Sequence, residues 1–175
     1  MILLLNGAFG VGKTTVARAL VARLPGAVLF DPELIGMALQ RAARLVGRRV
    51  DDFQDLRAWR RLTVLGLRVT RLFRKNVVVP MAFSNEEYLR EIREGLGPFE
   101  PDVVQVCLVA PVDVVHERLR RRGLDPVSAP WEFRRATECC VAHQGEKFGV
   151  RVSAEAEVEQ VVDALAVLLR DQRQA

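Results

Sequence analysis

Short apolar runs alternate with longer amphipathic stretches along the whole chain. The amphipathic stretches have the periodicity of helices, and most of the apolar runs lack the polar alternation of a half-exposed strand. Continuous apolar strands are typical of a parallel sheet that is covered on both faces. The pattern therefore predicts one three-layer α/β domain over residues 1–175. The predicted strands are 2–6, 27–31, 77–82, 103–109 and 148–152. The predicted helices are 13–24, 33–46, 55–74, 85–94, 112–122, 131–142 and 155–171.

The turn between the first strand and the first helix matches the phosphate-loop (Walker A) pattern. Gly7, Gly12, Lys13 and Thr14 occupy its fixed positions. We expect Lys13 to reach the β- and γ-phosphates of a nucleoside triphosphate, and the Thr14 hydroxyl to hold Mg²⁺. The expected nucleotide-binding residues are Gly7, Ala8, Phe9, Gly10, Val11, Gly12, Lys13, Thr14 and Thr15.

An acid follows the second predicted strand. Ligands of such sheets gather at the carboxyl ends of the strands, which is where Asp31 is expected to lie. Asp31 could accept the proton of an acceptor hydroxyl or orient that hydroxyl, or it could simply cap the next helix, with Pro32 at the first helical position. Glu33 is the next candidate for this role. The third strand has no Asp at its end to hold Mg²⁺ through water, and Pro80 is expected to mark where that strand ends.

Four arginines stand within five residues at the end of the helix predicted at 112–122. Arg118 and Arg122 are four residues apart, so they are expected to share a face that clamps the transferring phosphate, with Arg121 as an alternative. The alternative is a purely structural role, because arginines at the C-terminus of a helix interact favourably with the helix dipole. The following segment is a candidate lid, so we assign a lid to residues 118–143.

The region between the second and third strands carries candidate acceptor contacts. Phe53 and Trp59 could line an acceptor pocket, and Arg60 could bind an anionic or oxygen-rich acceptor. The alternative is that Trp59 packs in the core and the arginines face water.

The composition limits the classes of partner. The net charge is +4, but no basic stripe is interleaved with aromatic residues, so we expect no nucleic-acid partner. Cys107, Cys139 and Cys140 are expected to be reduced thiols of a cytoplasmic protein. The helix at 155–171 has an apolar stripe, which is expected to pack on the sheet, and an acidic face opposite it, so membrane association of the protein is not expected. Nothing in the sequence predicts the oligomeric state.

The chain resembles the bacterial tunicamycin-resistance proteins, within the small P-loop kinases of the adenylate- and shikimate-kinase type. The Asp-Phe-Gln segment that precedes Trp59-Arg60 is much more specific to these proteins than the phosphate loop, which the whole superfamily shares. The matching segments are Asn6-Gly7-Ala8-Phe9-Gly10, Asp31-Pro32-Glu33, Asp52-Phe53-Gln54, Trp59-Arg60 and Val79-Pro80-Met81.

The resemblance implies a five-stranded parallel sheet in the order 2-3-1-4-5 with a helical lid, and ATP or GTP on the phosphate loop. It also implies protection against tunicamycin, either by phosphorylation of a nucleoside-like or sugar hydroxyl or by sequestration of the drug without chemistry. On this basis the catalytic candidates are Lys13, Asp31, Arg118 and Arg122, with ATP and Mg²⁺ as cofactors. The acceptor-binding candidates are Asp31, Glu33, Phe53, Trp59, Arg60 and Met81.

Overall fold

A computed structural model of the chain describes residues 1–50 and 52–172. Five strands alternate with the helices, as the apolar runs predict. The strands are β1 (Ile2–Gly7), β2 (Ala27–Leu29), β3 (Asn76–Met81), β4 (Val103–Val109) and β5 (Val150–Ser153). The α-helices are α1 (Lys13–Arg23), α2 (Glu33–Leu45), α3 (Arg57–Phe73), α4 (Glu86–Leu96), α5 (Val112–Arg121), α6 (Pro130–Ala142) and α7 (Val158–Asp171). Short 3₁₀ helices occupy Phe53–Asp55 and Glu146–Phe148.

All strands are parallel and lie in the order β2-β3-β1-β4-β5, which confirms the expected fold class and strand order. Strand β1 is central, with Ile2 paired to Val77 of β3 and to Val103 of β4. Every residue of β1 and β3 is buried, which explains why both read as apolar runs. The carboxyl ends of β1 and β3 therefore bring the phosphate loop and residues 82–85 to one edge.

Two hydrophobic clusters cover the two faces of the sheet. Helices α1, α5, α6 and α7 contribute to one cluster, and α3 and α4 contribute to the other. The apolar stripe of α7 packs into the first cluster through Val161, Val162, Leu165 and Leu169. This packing agrees with the prediction that the stripe faces the sheet.

The structure differs from the sequence prediction around residues 53–57 and at Pro80. The helix predicted from residue 55 begins at Arg57, because the Asp52 carboxylate accepts a hydrogen bond from the Gln54 amide at 2.9 Å and starts a separate 3₁₀ turn. Pro80 lies inside β3 and pairs with Leu5. Strand β2 ends opposite Val78, so the nitrogen of Pro80, which cannot donate, points past the end of β2.

No helix among the described residues is long and apolar enough to cross a membrane. The segment assigned to the lid contains the end of α5, a turn at Gly123 and all of α6. Its motion as a lid, and the division of the chain into one domain with that lid, stay predictions.

Candidate functional site

The phosphate loop curls around an open cavity at the carboxyl end of β1. Gly10 and Gly12 have φ angles of 84° and 107°, in the left-handed region that glycine tolerates. A Cβ at Gly10 would lie 2.9 Å from Leu119, so a larger residue there would displace α5. A Cβ at Gly12 would meet no atom within 4 Å, which leaves that side of the loop open. The loop amides and the N-terminus of α1 can therefore approach an anion closely.

Lys13 is folded back against the loop. Its Nζ donates a hydrogen bond to the Ala8 carbonyl at 2.8 Å and lies 5.5 Å from the centre of the Phe9 ring. Burial of the ammonium group lowers the pKa of Lys13 from 10.5 to about 8. Glu33 opposes this shift in pKa, and Arg122 adds to it. A buried ammonium with a single backbone acceptor gains a better partner when a phosphate binds.

Two carboxylates face this loop from the start of α2. Asp31 precedes Pro32, the N-cap of α2, and accepts a hydrogen bond from the Glu33 amide at 3.0 Å, so it holds the start of the helix as well as lining the cavity. Burial raises the pKa of Glu33, the Lys13 charge opposes that rise, and Asp31 adds to it. Asp31 and Glu33 line the same cavity of about 180 Å³ as Lys13 and Thr14, and we call this space the phosphate cavity.

The arginines of α5 divide between different positions. Helix α5 ends at Arg121, and Arg122 leaves the helical conformation as its C-cap. Arg122 therefore lines the cavity that contains Lys13 and Asp31. Arg118 instead donates to the carbonyls of Val11, at 2.9 Å, and Ala154, at 2.7 Å. Arg118 thus ties the phosphate loop to the segment after β5, and Arg118 and Arg122 both line a second, neighbouring cavity.

A second cavity, of about 310 Å³, extends from the phosphate loop along α5. Its walls include Gly12, Thr15, Arg118 and the segment 154–158 that follows β5. Most of its lining surface is apolar, and the Arg118 guanidinium forms part of one wall. Its position beside the phosphate cavity suits the base and sugar of a nucleotide whose phosphates lie on the loop.

A larger pocket of about 750 Å³ adjoins the phosphate cavity on the other side, toward α2 and α6. Phe9 and Glu33 line both spaces. Phe9 packs edge-to-face against Trp131 at the start of α6, with 5.3 Å between ring centres. The other walls of this acceptor pocket are Gln40, Arg44, Asp52, Phe53, Gln54, Trp131, Glu132 and Arg134.

Three expected acceptor contacts lie behind this pocket. Trp59 is buried between Phe53 and Phe83, and its Nε1 donates to the Pro32 carbonyl at 2.8 Å. Arg60 is buried, forms an ion pair with Glu91 at 2.6 Å and donates to the Gln54 carbonyl. Met81 is part of the buried cluster beside Trp59. These side chains position the pocket wall, and Phe53 and Glu33 are the expected residues that line the pocket itself.

Some functional candidates carried no signal in the sequence pattern. Trp131 belongs to the pocket only because α6 folds over the phosphate loop. Arg135 of α6 donates to the Ser84 hydroxyl at 2.7 Å and forms an ion pair with Asp52 at 3.4 Å. The resemblance selects Asp52 and Gln54 as matching residues, but it does not indicate their contact with α6.

The oxygen donors at the phosphate cavity fit Mg²⁺. Thr14 is exposed in the first turn of α1, and the carboxylates of Asp31 and Glu33 line the same cavity. Hydroxyl, carboxylate and phosphate oxygens are the ligands that Mg²⁺ prefers, usually with several waters retained. Among the described residues, no group of three or more His, Cys, Asp or Glu forms a metal site by itself. Phosphate oxygens would therefore have to complete the coordination.

A family model described as an AAA domain matches residues 2–138. No curated protein matches the sequence. The chain is 31% identical to the tunicamycin resistance protein of Deinococcus radiodurans, with a TM-score of 0.75, covering 96% of this chain and 94% of that one.

Two sugar- and shikimate-directed kinases share the fold at lower identity. A gluconokinase from Sinorhizobium meliloti is 20% identical, with a TM-score of 0.68, over 98% of this chain and 93% of that one. A shikimate kinase from Aquifex aeolicus is 20% identical, with a TM-score of 0.56, over 100% and 99% of the two chains. At these identities the similarity describes the fold.

Proposed function

Because the chain belongs to the AAA domain family and has the P-loop kinase fold, we propose that it is an ATP-dependent phosphotransferase. Its acceptor would be a hydroxyl group of a nucleoside-like or sugar molecule, and its role would be resistance to tunicamycin. The 31% identity to a tunicamycin resistance protein supports the biological role. The expected cytoplasmic location is part of this proposal.

The observation that carries the proposal is the junction between two cavities. The phosphate cavity and the acceptor pocket share Phe9 and Glu33 as walls. A triphosphate on the loop and a hydroxyl group in the pocket would therefore be neighbours. Direct phosphoryl transfer needs this proximity and little covalent chemistry from the protein.

Lys13 and Arg122 would neutralise the phosphates. Lys13 would exchange its bond to the Ala8 carbonyl for a phosphate oxygen, and Arg122 would approach the same cavity from the end of α5. Thr14 and Asp31 would hold Mg²⁺, directly or through water. When bound, this ion would offset the charge that develops on the β- and γ-phosphate oxygens.

Glu33 is the best candidate for the group that accepts the acceptor proton. It lines both cavities, and its raised pKa makes it a better base than an ordinary carboxylate. In the step we propose, the acceptor oxygen bonds to the γ-phosphorus while the bond to the β-phosphate oxygen breaks. The hydroxyl proton passes to Glu33, and ADP leaves.

The rival proposal is a nucleotide-dependent protein that binds tunicamycin without chemistry. It is favoured by the lack of an acid at the end of β3, where many P-loop enzymes hold Mg²⁺ through water. Both proposals require nucleotide binding, so they differ only in whether the drug gains a phosphate.

Mass spectrometry separates the two. Tunicamycin and a panel of nucleosides and sugars are incubated with the protein, ATP and Mg²⁺, and compared with the Glu33→Gln variant. A phosphate adduct that forms with the parent and not with the variant supports phosphotransfer. Tight binding of unmodified tunicamycin, with no adduct on any compound, supports sequestration instead.

A further inference from the structure

The solvent-facing side of α3 is an apolar stripe. Leu62, Leu65, Val69, Leu72 and Phe73 recur at helical spacing, and we call these five residues the α3 stripe. Their side chains are between 41% and 79% exposed. Large apolar side chains gathered on one exposed face mark an interaction site more often than an inert surface.

The segment that carries the stripe is basic and has no acid of its own. Residues 56–75 contain no Asp or Glu and seven basic residues, which are Arg57, Arg60, Arg61, Arg68, Arg71, Arg74 and Lys75. Three of these are held by the fold: Arg60 by Glu91, Arg71 by Glu100 and Arg68 by the Gly95 carbonyl. Arg57, Arg61, Arg74 and Lys75 are exposed, two at each end of the stripe.

The neighbouring segment, α2 and the residues that follow it, is also basic and has exposed apolar side chains. Helix α2 packs beside α3, with Ile35 close to Gly66. Residues 34–50 contain four arginines and no acid, and Leu34, Leu45 and Val46 are each more than 60% exposed. These two segments carry more positive charge than the net +4 of the whole chain, so the rest of the chain is acidic on balance.

We propose that the α3 stripe docks on an anionic lipid bilayer, with the helix axis parallel to the membrane plane. A helix of 17 residues is about 25 Å long, and its Leu, Val and Phe side chains can enter the boundary between headgroups and acyl chains. The flanking cations then lie at the level of the lipid phosphates.

The charges at the ends of the stripe argue against a second copy of the chain or a nucleic acid as its partner. A second copy of the chain would bring the cations at the ends of one stripe against those of its partner in either orientation. An RNA or DNA backbone would satisfy the cations but would leave the stripe in water. The proposal does not depend on phosphotransfer, because the α3 stripe and the four exposed cations at its ends line neither the phosphate cavity nor the acceptor pocket.

The test is co-sedimentation of the full chain with phosphatidylcholine vesicles that contain or lack 30% phosphatidylglycerol. We expect binding that needs the anionic lipid and falls as salt is raised. Leu72→Asp with Phe73→Asp should weaken binding by at least about tenfold, because each side chain contributes a large apolar area. Arg57→Gln with Arg61→Gln should weaken it by about fivefold for each cation removed.

The matched control is Val141→Asp with Val167→Asp, which adds the same charge at exposed apolar positions on α6 and α7. This variant should sediment almost like the parent. No vesicle binding, equal binding to neutral vesicles, or equal loss in the control would overturn the proposal. A parent of doubled mass in solution that becomes monomeric in Leu72→Asp with Phe73→Asp would assign the face to self-association. Duplex nucleic acid that competes fully with vesicles would assign it to nucleic acid.

Discussion

Replacing Lys13 with Met should weaken nucleotide binding and raise the stability of the protein at the same time. Both effects follow from the position of Nζ, which is buried against the phosphate loop with the Ala8 carbonyl as its hydrogen-bond acceptor. Until an anion binds, burial of the charged ammonium group lowers the free energy of unfolding. Met keeps most of the length and apolar character of the side chain.

The stability gain can be worked out from the pKa. A fall from 10.5 to about 8 corresponds to about 3 kcal/mol of cost for the charged form. Loss of the bond to Ala8 offsets about 1 kcal/mol, and partial solvent access reduces the rest. We therefore expect about 1–2 kcal/mol of stabilisation at pH 7, or roughly 2–8 °C in Tm for a chain of this size.

The pH dependence has a definite sign. Between about pH 8 and 10.5 the unfolded chain holds a proton on Lys13 that the folded chain has released, so the parent gains stability as pH rises through this window. The difference in Tm between variant and parent should therefore be large at pH 7 and small near pH 10. Calorimetric unfolding at both pH values measures it.

The affinity loss should be about ten- to hundredfold, because a hydrogen bond to a charged group contributes about 1.5–3 kcal/mol. Titration calorimetry with ATP and Mg²⁺ measures the Kd, and in the parent near pH 8 it should also detect proton uptake as the phosphate restores the lysine charge. An unchanged Kd, or a variant that melts earlier than the parent at pH 7, would refute this account of Lys13.

Three further predictions concern the arginines and carboxylates. Arg118→Ala should lower the free energy of unfolding in urea by about 2 kcal/mol, because two hydrogen bonds to backbone carbonyls are lost. Arg122→Ala should leave that free energy within about 0.5 kcal/mol of the parent's and should slow phosphate transfer about 100-fold or more. The reverse pattern would contradict this division of roles between the two arginines. Glu33→Gln should leave the Kd for ATP nearly unchanged and abolish adduct formation, and a variant with parental turnover would remove Glu33 as the base. Asp31→Asn should melt within a few degrees of the parent, because Asn also caps helices, yet lose transfer or resistance; early melting would make Asp31 purely structural.

The fold followed from local pattern because its strands are buried on both faces. Strands β1 and β3 have no exposed residue, so their sequences could contain only apolar residues and the small or amide residues at their ends. The strand order did not follow from periodicity, since any order of five buried strands has the same apolar pattern. It came from the resemblance, which rests on the segments around the phosphate loop, Asp31 and Pro80 among others.

The backbone geometry of the phosphate loop was predictable from the sequence, and the walls of the proposed acceptor pocket were not. Gly12 and Lys13 occupy the backbone turn that the motif encodes. Arg118 and Arg122 were expected on one face, and both line the second cavity beside the phosphate loop. Arg122, the C-cap of α5 before Gly123 with a φ of 81°, also lines the cavity that contains Lys13, which the spacing alone did not indicate.

The acceptor pocket depends on contacts between segments far apart in the sequence. One carboxylate, Asp52, both starts the 3₁₀ turn that presents Phe53 and receives Arg135 from α6. Arg135 also binds Ser84 after β3, and Trp131, one turn earlier on α6, rests against Phe9 of the phosphate loop. A shift of α6 would therefore move the acceptor wall and the phosphate loop together. We therefore expect Asp52 and Arg135 to influence which acceptor the proposed pocket would bind, together with the other residues that line it.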